Sequence, residues 1–225
     1  MADTVITVRG SFDSYFPPER ATVNLLIGHH GRDKNEVYNQ TTTSAGRATE
    51  IVGGITDAEQ GPVTWWSSDR VRTWSEKPWN KDGKQLPLVF HAVVGVEAKF
   101  KDFVALARFI DEVVVLPGVS VRGLTWALTE ARKREVVREA RQRAVRDATE
   151  RAADYASAAG LTTVTVSAVA DVGMLGGDTN YTSSGSNVAF ARAAAAPGGS
   201  GEAALDLTPS DVAISAQVDA RFTAT

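Results

Sequence analysis

From Glu130 to Leu161 the positions 136, 140, 144, 148, 152 and 156 are Val followed by five Ala. Residues four apart share one helical ridge, so this spacing predicts a long helix over about 130–159 with one nearly smooth side. Gly160 stands where a helix C-terminus favours glycine. The remaining faces carry Arg132, Arg134, Arg138, Arg141, Arg143, Arg146 and Arg151 among Glu130, Glu135, Glu139, Asp147 and Glu150, a solvated pattern. Small side chains on the ridge allow another backbone to approach, which makes the helix a packing element and not a reaction centre.

Other stretches follow different periods. Thr4–Gly10 and Arg20–Ile27 alternate and are rich in β-branched residues, with Pro17-Pro18 turning the chain between them. Asp33 to Val52 places Val37, Thr41, Ala45 and Ala48 at helical spacing, with Asp33 as N-cap and Gly53-Gly54 as a stop. That spacing predicts a first helix crossing back over the opening pair of strands. Pro62–Trp74 and Leu86–Phe100 read as two long strands joined around Asp82-Gly83, a hairpin signal. A second helix is expected over Asp102–Val114, then strands over Val119–Leu128, Leu161–Val172 and Val212–Phe222. The class is α+β: mainly antiparallel sheets layered with three helices.

Length admits one domain over 1–225 or two packed lobes. Residues 173–206 break the pattern with Gly176-Gly177, Ser183-Ser184-Gly185-Ser186 and Ala193 to Ala196, so a flexible Gly/Ser/Ala-rich insert is expected there. The chain has no cysteine, which removes disulfides, thiolate zinc sites and a cysteine nucleophile together. A formal charge of −3 is too small to draw nucleic acid or membrane by bulk attraction. No apolar run approaches the roughly 20 residues that span a bilayer. The opening Met1–Ile6 has no basic leader, so the expectation is a soluble, cytoplasmic protein.

Chemistry is sparse. Of the three histidines, His29 and His30 are neighbours on an extended segment and point to opposite faces, so at most one can join His91. A metal site needs three or four converging ligands, and no nucleophile or phosphate-loop signature is present. The expectation is therefore no catalytic residue, no metal and no cofactor. Between Arg132 and Arg151 eight Lys/Arg face four Asp/Glu, but Glu139 with Arg143 and Asp147 with Arg151 have pairing spacing, so nucleic acid is not expected.

Tryptophan is the one enrichment. On an unbroken strand Trp66 and Trp74 share a face with Arg70 and Arg72, while Trp65 lies on the other with Asp69. The bland reading places these rings at a core edge or an interface. The functional one makes Trp65, Trp66, Arg70, Arg72, Trp74, Trp79 and His91 a ligand or interface region.

Four stretches together resemble the SIMPL domain family, a bacterial family of unknown function. They are Ile6–Ser11 with Pro18–Val23, His91–Val96 leading to Asp102-Phe103, Ala140 to Gly160-Leu161, and Leu207–Val212. Phe12 and Ser210 depart from it where glycine is usual. The resemblance implies no established catalytic residue, a tendency to self-assemble, and in many members an envelope location with ties to stress tolerance. The expected function is a non-enzymatic binding or self-assembling protein whose partner is itself or another protein. The alternative is a small-molecule binder or hydrolase, with His91, Arg70 and Asp69 in a polar pocket between sheet and helices.

Overall fold

The computed structural model describes residues 3–79, 86–175 and 207–225. In chain order the elements are β1 (Thr4–Phe16), β2 (Arg20–Gly31), α1 (Lys34–Gly54), β3 (Val63–Ser68), β4 (Arg72–Glu76), β5 (Val89–Phe100), α2 (Phe103–Val114), β6 (Val119–Ala127), α3 (Glu130–Ala158), β7 (Val164–Asp171) and β8 (Val212–Ala224). All strand pairs are antiparallel, and they form two sheets with three helices, an α+β architecture. Two compact units result, one holding β1, α3, β7 and β8, the other β2 to β6 with α1 and α2.

In the first unit the strand order is β1-β8-β7, and β1 pairs with β8 without a break from Thr4↔Ala224 to Phe16↔Val212. The predicted ridge of α3 lies on this sheet: Ala144, Ala148 and Ala152 are buried against Val8, Val218, Ala220 and Phe222. The approach is close enough to require glycine beneath it. A Cβ on Gly10 would run into the Ala144 carbonyl oxygen and stand 2.7 Å from Ala148 N, both backbone atoms. Thr129 caps the helix by accepting from Arg132 N–H. At the other end Gly160 has φ +75, Leu161 N–H donates to Ala156 O at 2.9 Å and Gly160 N–H to Ser157 O at 3.0 Å, the paired bonds of a Schellman stop.

On the other face of this sheet Asp219 accepts from Arg9 Nε at 2.7 Å and from Gly173 N–H at 2.8 Å. The Arg9 hydrogen bond is the main reason that its pKa is lowered. Arg221 Nη2 donates to Leu175 O, so both ends of the Gly173–Leu175 turn are held by β8. The remainder of the expected insert, from Gly176 to Asp206, lies outside the described residues, as does the Asp82-Gly83 turn.

In the second unit the order is β3-β5-β2-β6, and β4 continues along the β5 edge that β3 begins. Helices α1 and α2 cover one face. Their Ala45, Ala48, Val52, Leu106, Phe109 and Val113 bury against Val23, Leu25, Ile27, Val94, Val96 and Phe100. Asp33 is the predicted N-cap, accepting from Asn35 and Glu36 N–H, and Asp102 caps α2 by accepting from Val104 and Ala105 N–H.

Two expectations are corrected. β1 and β2 are not a pair, because the chain passes at Pro17-Pro18 from one sheet to the other, and two residues without N–H groups cannot close a tight hairpin. Helix α1 accordingly packs on β2 and β5. Pro62–Trp74 is not one strand either. It is β3 and β4, interrupted at Asp69–Val71, where three residues stand opposite Val94 and Gly95.

Candidate functional site

That interruption sets the face on which Trp74 lies. Cross-strand partners share a face of a sheet, and the helix-covered face of β5 is Ala92, Val94, Val96, Ala98 and Phe100. Trp66 pairs with Ala98 and packs into this core, whereas Trp65 pairs with Lys99 and Trp74 with His91 on the other face. The extra residue at 69–71 reverses the alternation, so Trp74 joins Trp65 and not Trp66 as an unbroken strand requires. Asp69 N–H donates to Gly95 O at 2.8 Å, and the Asp69 carboxylate lies over Gly95. Arg70 sits in the interruption and Arg72 pairs with Val93, on the same face as Trp74.

The exposed indoles do not form one cluster. Eight residues of β5 separate the partners of Trp65 and Trp74, roughly 26 Å of strand. Lys99 Nζ stands 5.8 Å from the Trp65 ring centre. Trp79 lies beyond the end of β4 and is 81% exposed, and Trp126 is inside, edge-on to Phe103 at 5.0 Å.

His91 belongs to a ladder across three strands. Trp74 of β4 stacks on it at 5.0 Å and 5° between planes, and His30 of β2 flanks it at 5.8 Å and 26°. Glu76 Oε1 is 3.3 Å from His91 Nε2, within ion-pair range when the ring is protonated. The two atoms are not aligned as a hydrogen bond, and Nε2 is shielded from solvent without one. This ladder is on the helix-free face. His91 therefore cannot line a pocket between sheet and helices, and Asp69 and Arg70, at the sheet edge, do not join it there. Among the described residues no three His, Asp or Glu side chains are grouped to hold a metal ion.

Between sheet and helices it is His29 that the fold brings to a concave surface. A solvent-open groove of about 470 Å³ runs beside α1, with His29 and Pro117 on one side and Asn39, Thr43 and Arg47 on the other. The imidazole is seated by its neighbours. Its Nδ1 is 3.3 Å from Thr41 Oγ1, and the ring packs on Gly118, where φ is +75 and a Cβ would meet Nε2 at 2.8 Å and Gly28 O at 2.6 Å. Burial, with a smaller contribution from neighbouring His30, lowers the His29 pKa. Sequence reading passed over His29 because its partners come from α1 and from the α2–β6 turn. The only local signal was Pro117-Gly118 at a helix end.

The SIMPL family model, described as a protein of unknown function (DUF541), matches residues 6–222. The chain belongs to the SIMPL family. No curated protein matches this SIMPL chain. Among its described residues no helix is long and apolar enough to cross a membrane.

Proposed function

We propose that this SIMPL protein is a non-enzymatic scaffold that self-associates through the edge formed by β3 and β4. The supporting observation is that Trp65 and Trp74 on that edge are each 46% exposed and Trp79 just beyond it is 81% exposed. Indole surface of this kind is costly to leave in water and is enriched at the centres of interfaces. An edge strand adds unpaired backbone groups that a second copy satisfies. Five-residue β4, charged at Arg72 and Glu76, limits that pairing to partners with matching charges. The family resemblance adds the tendency to self-assemble, a bacterial source and a role in stress tolerance. The compartment, cytoplasm or envelope, belongs to the same proposal and is read by cell fractionation.

Multi-angle light scattering over a hundredfold range of concentration tests it. A discrete oligomer that dissociates in the Trp74→Ser/Trp79→Ser double variant is expected. A monomer at every concentration, with the indoles open to acrylamide quenching, overturns the proposal. The second reading, a small-molecule binder or hydrolase, is favoured by the His29 groove and predicts that monomer.

A further inference from the structure

We propose that the groove beside α1 binds a small oxyanion that carries a donor O–H next to its anionic oxygens, such as hydrogenphosphate or an α-hydroxy carboxylate. Such binding goes beyond self-association and follows from the chemistry of the groove walls.

The hydrogen-bond network assigns the proton on His29. Thr41 Oγ1 faces two carbonyl oxygens, Val37 O at 2.8 Å and Ala92 O at 3.4 Å. Carbonyls only accept, so the single hydroxyl proton is spent on them and the oxygen is left to accept from His29 Nδ1. In the neutral ring Nδ1 then carries the hydrogen and Nε2 is an acceptor. Gly118 and Thr41 hold the ring in this orientation, so the acceptor is fixed in place before any ligand arrives. A bound group must bring a donor to it.

The opposite wall offers the complementary charge. Arg47 makes no ion pair among the described residues and lies at the groove, exposed. Thr41, Thr42 and Thr49 each turn their hydroxyl back to a carbonyl of the helix. Among the described residues Thr43 makes no such bond, and with Asn39 it borders the groove. A guanidinium, a free hydroxyl and an amide on one side and a fixed imidazole acceptor on the other match an anion with its own hydroxyl. An anion without one, such as sulfate or acetate, sets lone pair against lone pair at Nε2. Such a mismatch costs the site far more than a missing contact would.

The test is a titration of the full chain at pH 7 with inorganic phosphate, L-lactate, sulfate and acetate, following the His29 imidazole signals by NMR. Saturable binding below about 10 mM by phosphate or lactate, with sulfate and acetate at least tenfold weaker, is expected, and the stronger of the two identifies the source. Arg47→Gln, on the helix surface, weakens that binding tenfold or more with the fold unchanged. His29→Gln, which supplies an amide donor, removes the preference for phosphate over sulfate. Equal binding of sulfate and phosphate to the native chain overturns the proposal, as does binding indifferent to Arg47→Gln or no saturation with any of the four.

Discussion

The two sheets carry their helices by different means. In the first unit α3 lies close on β1 because its ridge is Ala and Gly10 stands beneath it, so that at this point the contact is backbone against backbone. In the second, α2 covers the sheet with larger side chains such as Leu106 and Phe109, beside Phe100 of β5. The edge strand there is broken twice, at Val63/Trp65 and at Asp69–Val71. A backbone contact has no rotamer to adjust, whereas a side-chain layer can repack. The contact at Gly10 is therefore rigid, whereas the irregular edge strand with its exposed indoles belongs to the second unit.

The largest expected effect separates the two directly. Gly10→Ala sets a methyl against Ala144 O and Ala148 N, neither of which can rotate away, and is expected to destabilise the protein by about 3 kcal/mol or more. Gly95→Ala meets only Asp69 Oδ2, the free end of a side chain, at 2.7 Å, and is expected to cost about 1 kcal/mol or less. Urea unfolding followed by circular dichroism measures both, and equal costs break the distinction.

Removing Arg70 sharpens it next. With the interruption shortened to two residues facing Val94 and Gly95, β3 and β4 become one regular strand, and its alternation keeps Trp74 opposite His91 on the face of Trp65. The variant is expected to keep β4 pairing, seen as slow amide exchange over Arg72–Glu76, with Trp74 still stacked on His91. Loss of β4 protection contradicts this account of the tryptophan positions.

Helix caps give a smaller change. Asp102→Ala frees the N–H groups of Val104 and Ala105 and is expected to lower stability by about 1 kcal/mol. A fall in the urea midpoint with an unaltered slope is the signature, since only the folded end of α2 is affected.

Acid separates the units by the smallest effect. His29 is lowered from 6.5, so the unfolded chain binds the proton more readily, and its contribution is complete above 6.5 and lost as pH falls through the folded value. Asp219 is lowered from 3.8 by Arg9, and its contribution is complete above that value and lost only as pH falls through the lower folded one. Stability is expected to decline in two steps, the upper abolished by His29→Gln and the lower reduced by Asp219→Asn, with Asp57, also lowered from 3.8 by backbone hydrogen bonds, contributing to what remains. A pH curve without the upper step argues against the seated, neutral imidazole.

What was legible tracks this contrast. The ridge 136–156, the cap Asp33 and the stop at Gly160 are local: each depends on residues within one or two turns, so spacing alone announced them. The strands of the first unit were visible for the same reason, although β1 runs six residues past Gly10 because full pairing with β8 carries it to Phe16. Trp65, Trp66, Arg70, Arg72, Trp74, Trp79 and His91 were visible as an enrichment, but not in their arrangement. One additional residue at the interruption reassigned the face of Trp74, and no period reveals an insertion that only the register of β5 defines.

The sequence by itself determined three helices, their ends, the antiparallel character of the strands and the SIMPL resemblance, because propensity, capping and alternation act over a few residues. Tertiary structure alone decided which strands share a sheet, that His91 stacks between Trp74 and His30 away from the helices, and that His29 meets Thr41 and Gly118. Those outcomes depend on pairing register and on residues far apart along the chain, 89 positions from His29 to Gly118 and 220 from Thr4 to Ala224, and long-range geometry leaves no periodic trace in a linear sequence.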